Sequence, residues 1–467
     1  MIFFGAGYVG RQMLSIWEQF NIIPDFFADN EKKRWGAEYC GIRILSIEEL
    51  KKIEDAHILI TCKDYDNILR QLQHDGIKPE NLYKGDSLYD MLCYLSYNTK
   101  EHSFDYKINP IDAVSKVLFD LTNNFVLGGV ETWAIKTSDS LYEKGRDVRF
   151  VVPHFIKEHG VIAQNKVINL HFMENLNFVE SLQYGLEEIK KCLPCNIICN
   201  FPLQIFEVVC AAKMKWPQEI NLIAIVHNDE EIYYKRYCYM SKLIDVCMVI
   251  STKIRETLLQ RGFPDFKIKK LDWEISCTSN LKRTYSERNQ ILHIGYAGRV
   301  TVVQKRADLL LEVSRRLYAQ GIKCVLEIAG TGDYLQTIKE QIEKENLDEQ
   351  IKLLGYIPNE KINNFWERQD IVISCSDYEG RSIAQAEAMA AGVVPVITDT
   401  SGAEDYVQDG YNGYIVPVGD TEQMVDRIKF LEKNRDLLKM MGERSHQKMW
   451  NHYTENDLMS MWEDVLK

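Results

Sequence analysis

The sequence predicts an α/β protein composed of three successive units, each a parallel β-sheet with helices on both faces. Two observations support this prediction. Short apolar segments of strand length alternate with amphipathic segments of helix length along most of the chain, as in repeated strand–helix–strand crossovers. The length of 467 residues also exceeds what a single hydrophobic core supports, so several domains are expected.

The composition indicates a folded protein without a nucleic-acid partner. Hydrophobic residues make up 46% and charged residues 27% of the chain, as in ordinary globular proteins. The net charge of -12 disfavours a general binder of polyanions. No signal peptide is readable after Met1, and no apolar stretch reaches the roughly 18 residues of a membrane span. We therefore expect a cytoplasmic protein, with peripheral contact at the inner face of the membrane left open.

The first unit is predicted over residues 1–95, where the strands MIFF, IIPDFFADN, AHILITC and NLYKG alternate with helical segments. The glycines of GAGYVG follow the first strand and open a helix, and Asp29 ends the next strand. This pattern is the dinucleotide fingerprint of a Rossmann-like domain, with Gly5, Gly7 and Gly10 in the turn. The unit is about half the size of a full NAD domain. Two interpretations stay open: a nucleotide or dinucleotide (NAD-like) site, and a purely structural or docking role.

The rest of the chain divides into a linker, two further units and a terminal helix. Residues 96–110 lack periodicity and are the predicted linker. The second unit, 111–285, contains six apolar strands from VSKVLFDLT to IDVCMVIS, and the third, 286–445, runs from ILHIGYAGRV past GYIVPV. Residues 446–467 are predicted as a C-terminal helix that can cross back to the second unit.

Cys192 and Cys195 have the CxxC spacing of redox and zinc motifs. They follow a helical pattern and precede a strand, which is the reverse of the thioredoxin arrangement. No second CxxC or histidine pair completes a zinc set. We interpret both as loop and core cysteines, and we expect no metal site.

The segment DYEGRSIAQAEAMAAGVVPVI carries the strongest chemical signal. It leads from the strand DIVISCS through a loop into a helix, and Glu379 and Glu387 enclose seven residues. A carboxylate in the loop can accept hydrogen bonds from sugar hydroxyls, and one about two helical turns later can reach ribose hydroxyls. The backbone N–H groups at Gly380 and Ser382 suit diphosphate or sugar oxygens. The alternative is that both glutamates lie on a solvated helix face.

These residues resemble the retaining glycosyltransferases of family 4, whose donor lobe carries a Glu, seven residues, Glu motif followed by EAMAxGxPVI. The resemblance covers roughly residues 112–467 and includes GGVETWA, GYAGRVTVVQKRADLLL, EIAGTGD, LLGYIP and SGAEDYVQDGYNGYIV. It implies a GT-B architecture, in which 111–285 is the acceptor-side lobe and 286–445 the donor-binding lobe. The first unit is similar to small Rossmann-like domains of bacterial polysaccharide-biosynthesis proteins.

The resemblance implies roles for individual residues. Arg299 and Lys305 match the family's catalytic cations, which bind the donor diphosphate and stabilise the leaving group, and Glu379 is the catalytic carboxylate. Arg306 replaces the glycine that is common after the lysine. Donor-binding glycines are expected at Gly128, Gly129 and Gly332.

His227 and Arg381 leave alternatives open. His227 ends the strand NLIAIVHND, where its imidazole either contacts the transferred sugar or acceptor or has a structural role. Arg381 and Ser382 stand where the family commonly has Phe-Gly, so the donor sugar is undetermined. Arg381 either meets a carboxylate, as on a uronic acid, or points into solvent.

The resemblance implies transfer with retention at the anomeric carbon, without a metal or another cofactor. The expected donor is a UDP- or GDP-sugar, and the expected acceptor is a hydroxyl of a glycan or lipid-linked intermediate. The segment IYYKRYCYMSK (232–242) either lies on lipid headgroups or packs its tyrosines inward. Two other functions remain alternatives: an NAD-dependent oxidoreductase that acts through GAGYVG, and a non-catalytic protein that binds nucleotide sugars.

Overall fold

The computed structural model describes residues 1–18, 22–62, 64–84, 116–121, 129–153, 167–169, 178–272, 275, 277–452 and 455–466. The chain forms two compact units. The first contains Met1–Ile225, Ile232–Cys247 and Leu466–Lys467, and the second contains Val226–Glu231 and Met248–Val465. The predicted linker, 96–110, lies outside the described residues.

The first sheet is formed by the N-terminal residues. Its strands are β1 (Ile2–Phe4), β2 (Phe26–Ala28), β3 (Glu38–Tyr39), β4 (Ile42–Leu45), β5 (Ile58–Ile60) and β6 (Leu82–Lys84), and its helices are α1 (Tyr8–Trp17), α2 (Ile47–Leu50) and α3 (Tyr65–His74). The strand order is β3-β4-β2-β1-β5-β6. The order reverses on either side of β1, so the glycine-rich turn lies at the point where such sheets bind ligands.

One strand of this sheet differs from the parallel pattern that the sequence predicts. Strand β3 pairs antiparallel with β4. Cys40 and Gly41 connect the two strands with φ of 52° and 77°. Two consecutive residues with positive φ form the type of tight turn that matches the twist of a hairpin. The turn chemistry therefore produces an antiparallel edge on an otherwise parallel sheet.

The second sheet begins after the undescribed segment 85–115. Its strands are β7 (Lys116–Asp120), β8 (Asp147–Val152), β9 (Val167–Asn169), β10 (Cys195–Cys199), β11 (Ile220–Val226), β12 (Val246–Val249) and β13 (Ile268–Lys270), and the helices are α4 (Gly129–Glu143), α5 (Phe178–Lys190), α6 (Gln204–Lys215), α7 (Glu231–Tyr239) and α8 (Thr252–Gln260). The strand order is β13-β12-β11-β10-β7-β8-β9. Cys195 is the first residue of β10 and Cys192 lies shortly before it, and both are buried free thiols. Burial raises the pKa of Cys195 to about 12, as expected of core cysteines rather than a reactive pair.

The third sheet carries the candidate site. Its strands are β14 (Leu292–Ala297), β15 (Cys324–Ala329), β16 (Ile351–Gly355), β17 (Ile371–Ser374), β18 (Val394–Thr398) and β19 (Tyr414–Val416), and the helices are α9 (Ala307–Ala319), α10 (Leu335–Glu345), α11 (Asn359–Trp366), α12 (Ile383–Ala390), α13 (Ala403–Tyr406), α14 (Thr421–Lys433), α15 (Asp436–His452) and α16 (Glu455–Val465). The strand order is β16-β15-β14-β17-β18-β19. Helix α15 continues through the boundary predicted at residue 446.

Helix α9 shows how the sequence specifies the packing of this sheet. Leu310, Val313 and Leu317 recur at helical spacing and are almost completely buried, so one face of the helix is apolar. They join a core cluster with strand residues such as Ile294 and Ile328. Burial of an aliphatic side chain of this size contributes about 1.5–3 kcal/mol. The core fixes β14 and thereby the loop that follows it.

Gly10 provides a test of the first sheet. A Cβ at Gly10 would lie 2.2 Å from the backbone oxygen of Gly5 and 3.2 Å from the ring of Phe27. The backbone oxygen cannot move without displacing the turn, so we expect Gly10→Ala to destabilise this part of the chain by about 1–3 kcal/mol. Hydrogen exchange of the β1 and β5 amides measures the effect. Ser15→Ala, on the exposed face of α1, is the control, and equal exchange in both variants would contradict the contact.

Candidate active site

The candidate site lies at the carboxyl edge of the third sheet, where the strand order reverses. Strands β14 and β17 are hydrogen-bonded neighbours, with Ile294 opposite Ile371. The chain continues outward from β14 on one side and from β17 on the other. Loops at such a reversal diverge and leave a crevice in which α/β proteins bind ligands. The predicted residues Arg299 and Lys305 follow β14, and Glu379 follows β17.

Lys305 and Glu379 form an ion pair across this crevice. The Lys305 Nζ atom donates to Glu379 Oε1, and the same oxygen accepts a hydrogen bond of 2.8 Å from Ser376 Oγ. Both charged side chains are largely buried, with 16% and 8% of their surface exposed. They line one pocket together with Ser376, Ser382 and Gln385. The structure therefore brings together residues 74 positions apart in the chain.

Arg299 lies in the same loop as Lys305 but has a different environment. Its Nη2 atom donates to Gln304 Oε1 at 2.7 Å, and its backbone oxygen accepts from Tyr296 Oη at 2.7 Å. The side chain is exposed. Within the part of the chain that the structure describes, no carboxylate lies within ion-pair distance of Arg299. Arg299 is thus held by a neutral amide, whereas Lys305 is paired with a carboxylate.

Arg306, which directly follows Lys305, has a backbone conformation that favours glycine. Arg306 adopts the left-handed region with φ of 49°, which glycine reaches without a steric penalty. Here the guanidinium pairs with Asp308 at 3.0 Å and with Asp377 at 3.1 Å. These ion pairs hold the arginine backbone in place of a glycine. The pair with Asp377 also connects the loop after β14 to the loop after β17.

The start of helix α12 is built from Gly380 and Ser382. Ser382 is the N-cap, and its side chain accepts a hydrogen bond from the Gln385 backbone N–H. A Cβ at Gly380 would lie 2.1 Å from the backbone oxygen of His227, so only glycine fits this contact. Glu387 lies in the same helix and is partly buried, which does not match the fully solvated alternative.

His227 is almost completely buried, with 3% of its surface exposed. Burial lowers the pKa of its imidazole to about 3, because the low-dielectric interior disfavours the charged form. The ring is therefore neutral near pH 7. A neutral imidazole can donate and accept one hydrogen bond each, and its contact with sugar or acceptor stays a prediction.

Arg381 does not point into solvent, so that alternative is wrong. Its side chain has no exposed surface, and its Nη2 atom lies 2.9 Å from Asp272 Oδ1. The guanidinium also lies over the ring of Tyr406, 5.4 Å from the centroid. The arginine thus already has a carboxylate partner within the protein, and a uronic acid would compete with Asp272 for it.

The predicted glycines differ in what the structure shows. Gly332 packs against the backbone of the loop after β14, because a Cβ there would lie 2.2 Å from Val300 O. Gly129 is the first residue of helix α4. Gly128 lies outside the described residues. The donor-binding roles of all three stay predictions.

Asp29, the acidic residue of the fingerprint in the first sheet, is hydrogen-bonded to other groups of the protein. Asp29 Oδ2 accepts from the backbone N–H of Ala6 at 2.9 Å and lies 3.1 Å from Arg34 Nη1. Asp29 Oδ1 accepts from the backbone N–H of Glu31 at 2.8 Å. In dinucleotide sites this carboxylate binds ribose hydroxyls. The Asp29 environment therefore fits a dinucleotide poorly, and no chemical step is assigned to such a ligand.

Several residues that contact the site were not predicted from the sequence. Ser376 and Gln304 contact the predicted residues directly, and the only sequence signal was their position beside the motif. Asp272 pairs with Arg381 from 109 positions away, and no local pattern could identify it. These residues are contacts of tertiary structure rather than parts of a motif.

Helix α7 packs three of its four tyrosines inward, and Tyr239 is exposed. Tyr233, Tyr234 and Tyr237 are at most 4% exposed, and Tyr237 Oη donates to Cys199 O at 3.2 Å. This geometry favours the inward-packing interpretation of the segment over contact with lipid. Among the described helices, none is long and apolar enough to span a bilayer. The described residues also include no group of three or more His, Cys, Asp or Glu placed to hold a metal ion.

Comparison with known proteins agrees with this geometry. Residues 281–448 match the family model of glycosyl transferases group 1, and residues 1–82 match the model C2185-like, N-terminal. The chain is 28% identical over 172 residues, 36% of its length, to the poly(ribitol-phosphate) alpha-N-acetylglucosaminyltransferase of Staphylococcus aureus (strain COL). It is 25% identical over 230 residues, 48% of its length, to the putative colanic acid biosynthesis glycosyltransferase WcaL of Salmonella typhimurium.

The chain spans 34% and 56% of the length of these two relatives. Among solved structures, Anabaena Alr3699/HepE in complex with UDP and glucose superimposes with a TM-score of 0.61 at 15% identity, over 75% of this chain and 99% of that one. At 15% identity, this structural similarity establishes the fold alone. The chain thus has the GT-B fold of glycosyltransferase structures with a small N-terminal α/β domain, and its third sheet belongs to the segment similar to group 1 glycosyl transferases.

The Arg381–Asp272 pair predicts a stability effect. Asp272→Asn keeps the side-chain shape but leaves the buried guanidinium without its counter-ion. Loss of one partner of a buried pair costs about 3–5 kcal/mol, and because Asp272 is 32% exposed we expect about 1–3 kcal/mol in urea unfolding. Lys270→Ala, which removes an exposed lysine 3.3 Å from the same carboxylate, is the control and should cost less than about 1 kcal/mol. Equal losses would contradict the buried pair.

His227 predicts a pH effect on stability. Its pKa is about 3 in the folded chain and about 6.5 when unfolded, so the unfolded chain binds the proton first as the pH falls. The free energy of unfolding is therefore unaffected by this group above about pH 6.5 and decreases progressively as the pH falls below that value. From about pH 7 to pH 5 the wild type should lose about 2 kcal/mol more than His227→Gln. His74→Gln, on the exposed end of α3, should behave like the wild type, and an unchanged pH profile in His227→Gln would refute the buried neutral ring.

Proposed function

We propose that the protein is a retaining glycosyltransferase that moves a sugar from a nucleotide-sugar donor to a hydroxyl of a glycan or lipid-linked acceptor. The observation that carries the proposal is the cluster of Arg299, Lys305 and Glu379 at the point where the strand order of the third sheet reverses. Donor diphosphate and sugar require fixed cations next to a hydrogen-bond acceptor. This cluster supplies both within one crevice.

Arg299 and Lys305 are proposed to bind the diphosphate. Negative charge grows on the leaving phosphate as the glycosidic bond breaks, and a fixed cation nearby stabilises the transition state more than the ground state. Neither cation needs to lose a proton for this role. Because the two side chains supply the positive charge that a metal ion supplies at other diphosphate sites, no cofactor is part of the proposed transfer.

Glu379 and Glu387 are proposed to hold the two sugars of the donor. Glu379 lies beside Lys305 with one oxygen occupied by Ser376, and its other oxygen can accept from hydroxyls of the transferred sugar. Glu387 lies about one turn into helix α12, and its carboxylate is proposed to accept from the ribose hydroxyls. The leaving phosphate oxygen, rather than a protein base, is proposed to take the acceptor proton.

The activities for which the relatives are named narrow the proposed substrates. One relative is a poly(ribitol-phosphate) N-acetylglucosaminyltransferase and another a putative colanic acid biosynthesis glycosyltransferase, and the solved structure holds UDP and glucose. A UDP-sugar is accordingly the preferred donor over a GDP-sugar. The acceptor is proposed to be a cell-surface polymer or its precursor, handled in the cytoplasm or at the inner face of the membrane.

The two alternative functions have less support. An oxidoreductase would use the glycine-rich turn of the first sheet, where Asp29 is engaged by Ala6 and Arg34. A non-catalytic sugar-nucleotide sensor does not require Lys305 to meet Glu379. The intact cluster favours catalysis.

Release of nucleoside diphosphate from a panel of UDP- and GDP-sugars tests the proposal. Lys305→Ala should lower kcat by about 100-fold or more, because it removes transition-state charge stabilisation. Glu387→Ala should raise the donor KM by about tenfold, since a hydrogen bond between a charged group and the ribose is lost. Lys339→Ala, an exposed lysine on α10, is the control. Unchanged turnover in both site variants would remove the proposed site.

A further inference from the structure

The geometry points to Gln304 as a positioning residue that joins the two donor loops and orients Arg299 for the diphosphate without pairing its charge. This inference rests on the proposed function and assigns a role to a residue outside the predicted site. Gln304 is buried, with 9% of its surface exposed. It directly precedes Lys305 in the loop after β14.

Three hydrogen bonds connect Gln304 to both sides of the crevice. Its Oε1 atom accepts from Arg299 Nη2 at 2.7 Å, and its Nε2 atom donates to Tyr378 O at 3.2 Å. Its backbone oxygen accepts from the Asp377 N–H at 2.8 Å. Tyr378 and Asp377 immediately precede Glu379. One side chain and its peptide group thereby fix the loop of the cations against the loop of the carboxylate.

The chemistry of the amide is specific to this position. The side chain must accept from a guanidinium and donate to a carbonyl, which glutamine does and glutamate or lysine does not. Because the amide is neutral, it orients Arg299 without cancelling its charge. Lys305, by contrast, already faces Glu379. Arg299 is thus the cation whose charge is not offset by a carboxylate among the described residues of the loop.

The backbone of Gln304 supports a functional reason for its place. Its φ of 71° lies in the left-handed region, which is unfavourable for residues other than glycine, asparagine and aspartate. Strain of this kind persists where surrounding contacts hold it and is concentrated at functional sites. A glycine would relieve the strain but would lose both side-chain hydrogen bonds. The structure therefore retains the amide at a conformational cost.

Calorimetric binding of UDP and GDP to the full chain tests this inference. Gln304→Gly relieves the backbone strain but loses two side-chain hydrogen bonds. Because these effects offset each other, its melting temperature should stay close to that of the wild type, while its affinity for the bound nucleotide should fall by about tenfold. Gln304→Glu should pair with Arg299 and cancel its charge. It should also bind about tenfold more weakly, and its affinity should decrease less with added salt than that of the wild type.

Gln341→Glu is the matched control. Gln341 Oε1 accepts from Arg315 Nη2 at 2.9 Å on helix α10, so the variant makes the same chemical change beside an arginine outside the site. It should bind like the wild type. Wild-type affinity in both Gln304 variants would overturn the role of Gln304 and leave the proposed function standing. Absence of UDP and GDP binding by the wild type would overturn both.

Discussion

The ion pair between Lys305 and Glu379 is the interaction on which the candidate site depends. Two charges taken out of water lose several kcal/mol of hydration each, and their attraction offsets this loss only when the remaining polar atoms also find partners. Ser376 supplies such a partner to Glu379. The pair also requires the loops after β14 and β17 to lie side by side, which the hydrogen bonding between these two neighbouring strands brings about. Sheet topology and site electrostatics are therefore coupled.

The architecture and the site motifs could be predicted from the sequence because they rest on local patterns. Alternation of apolar strands and amphipathic helices predicts crossovers, and crossovers predict parallel sheets. The antiparallel strand β3 escaped because it depends on two residues, Cys40 and Gly41, with positive φ. The polar contacts of the site escaped for another reason. Asp272 and Arg381 are joined only by the folded chain, so neither residue type nor spacing indicated the pair.

The first sheet shows how a sequence fingerprint and a ligand site can separate. Close packing requires glycine at Gly5 and Gly10, since a Cβ at either position would approach the backbone of a neighbouring segment. The acidic residue is explained by its hydrogen bond to Ala6 and its pairing with Arg34. Gly5, Gly10 and Asp29 thus have roles within the fold, whereas a Cβ at Gly7 would make only an ordinary contact of 3.9 Å. A pattern that meets every sequence criterion for a dinucleotide still needs a carboxylate that is available to the ribose.

Gly380 restricts the movement of the backbone beside the pocket. Its missing side chain lets the peptide approach His227 O, and a Cβ at Gly402 would in turn lie 2.1 Å from Gly380 O. Three stretches of main chain are therefore stacked with no side chain between them, so the peptide between Glu379 and Arg381 is held from both sides. Such a layer cannot slide to enlarge the cavity. A bulkier or smaller ligand must therefore be accommodated by side chains at the rim of the pocket, and variants that alter its specificity should change those side chains rather than the glycine layer itself.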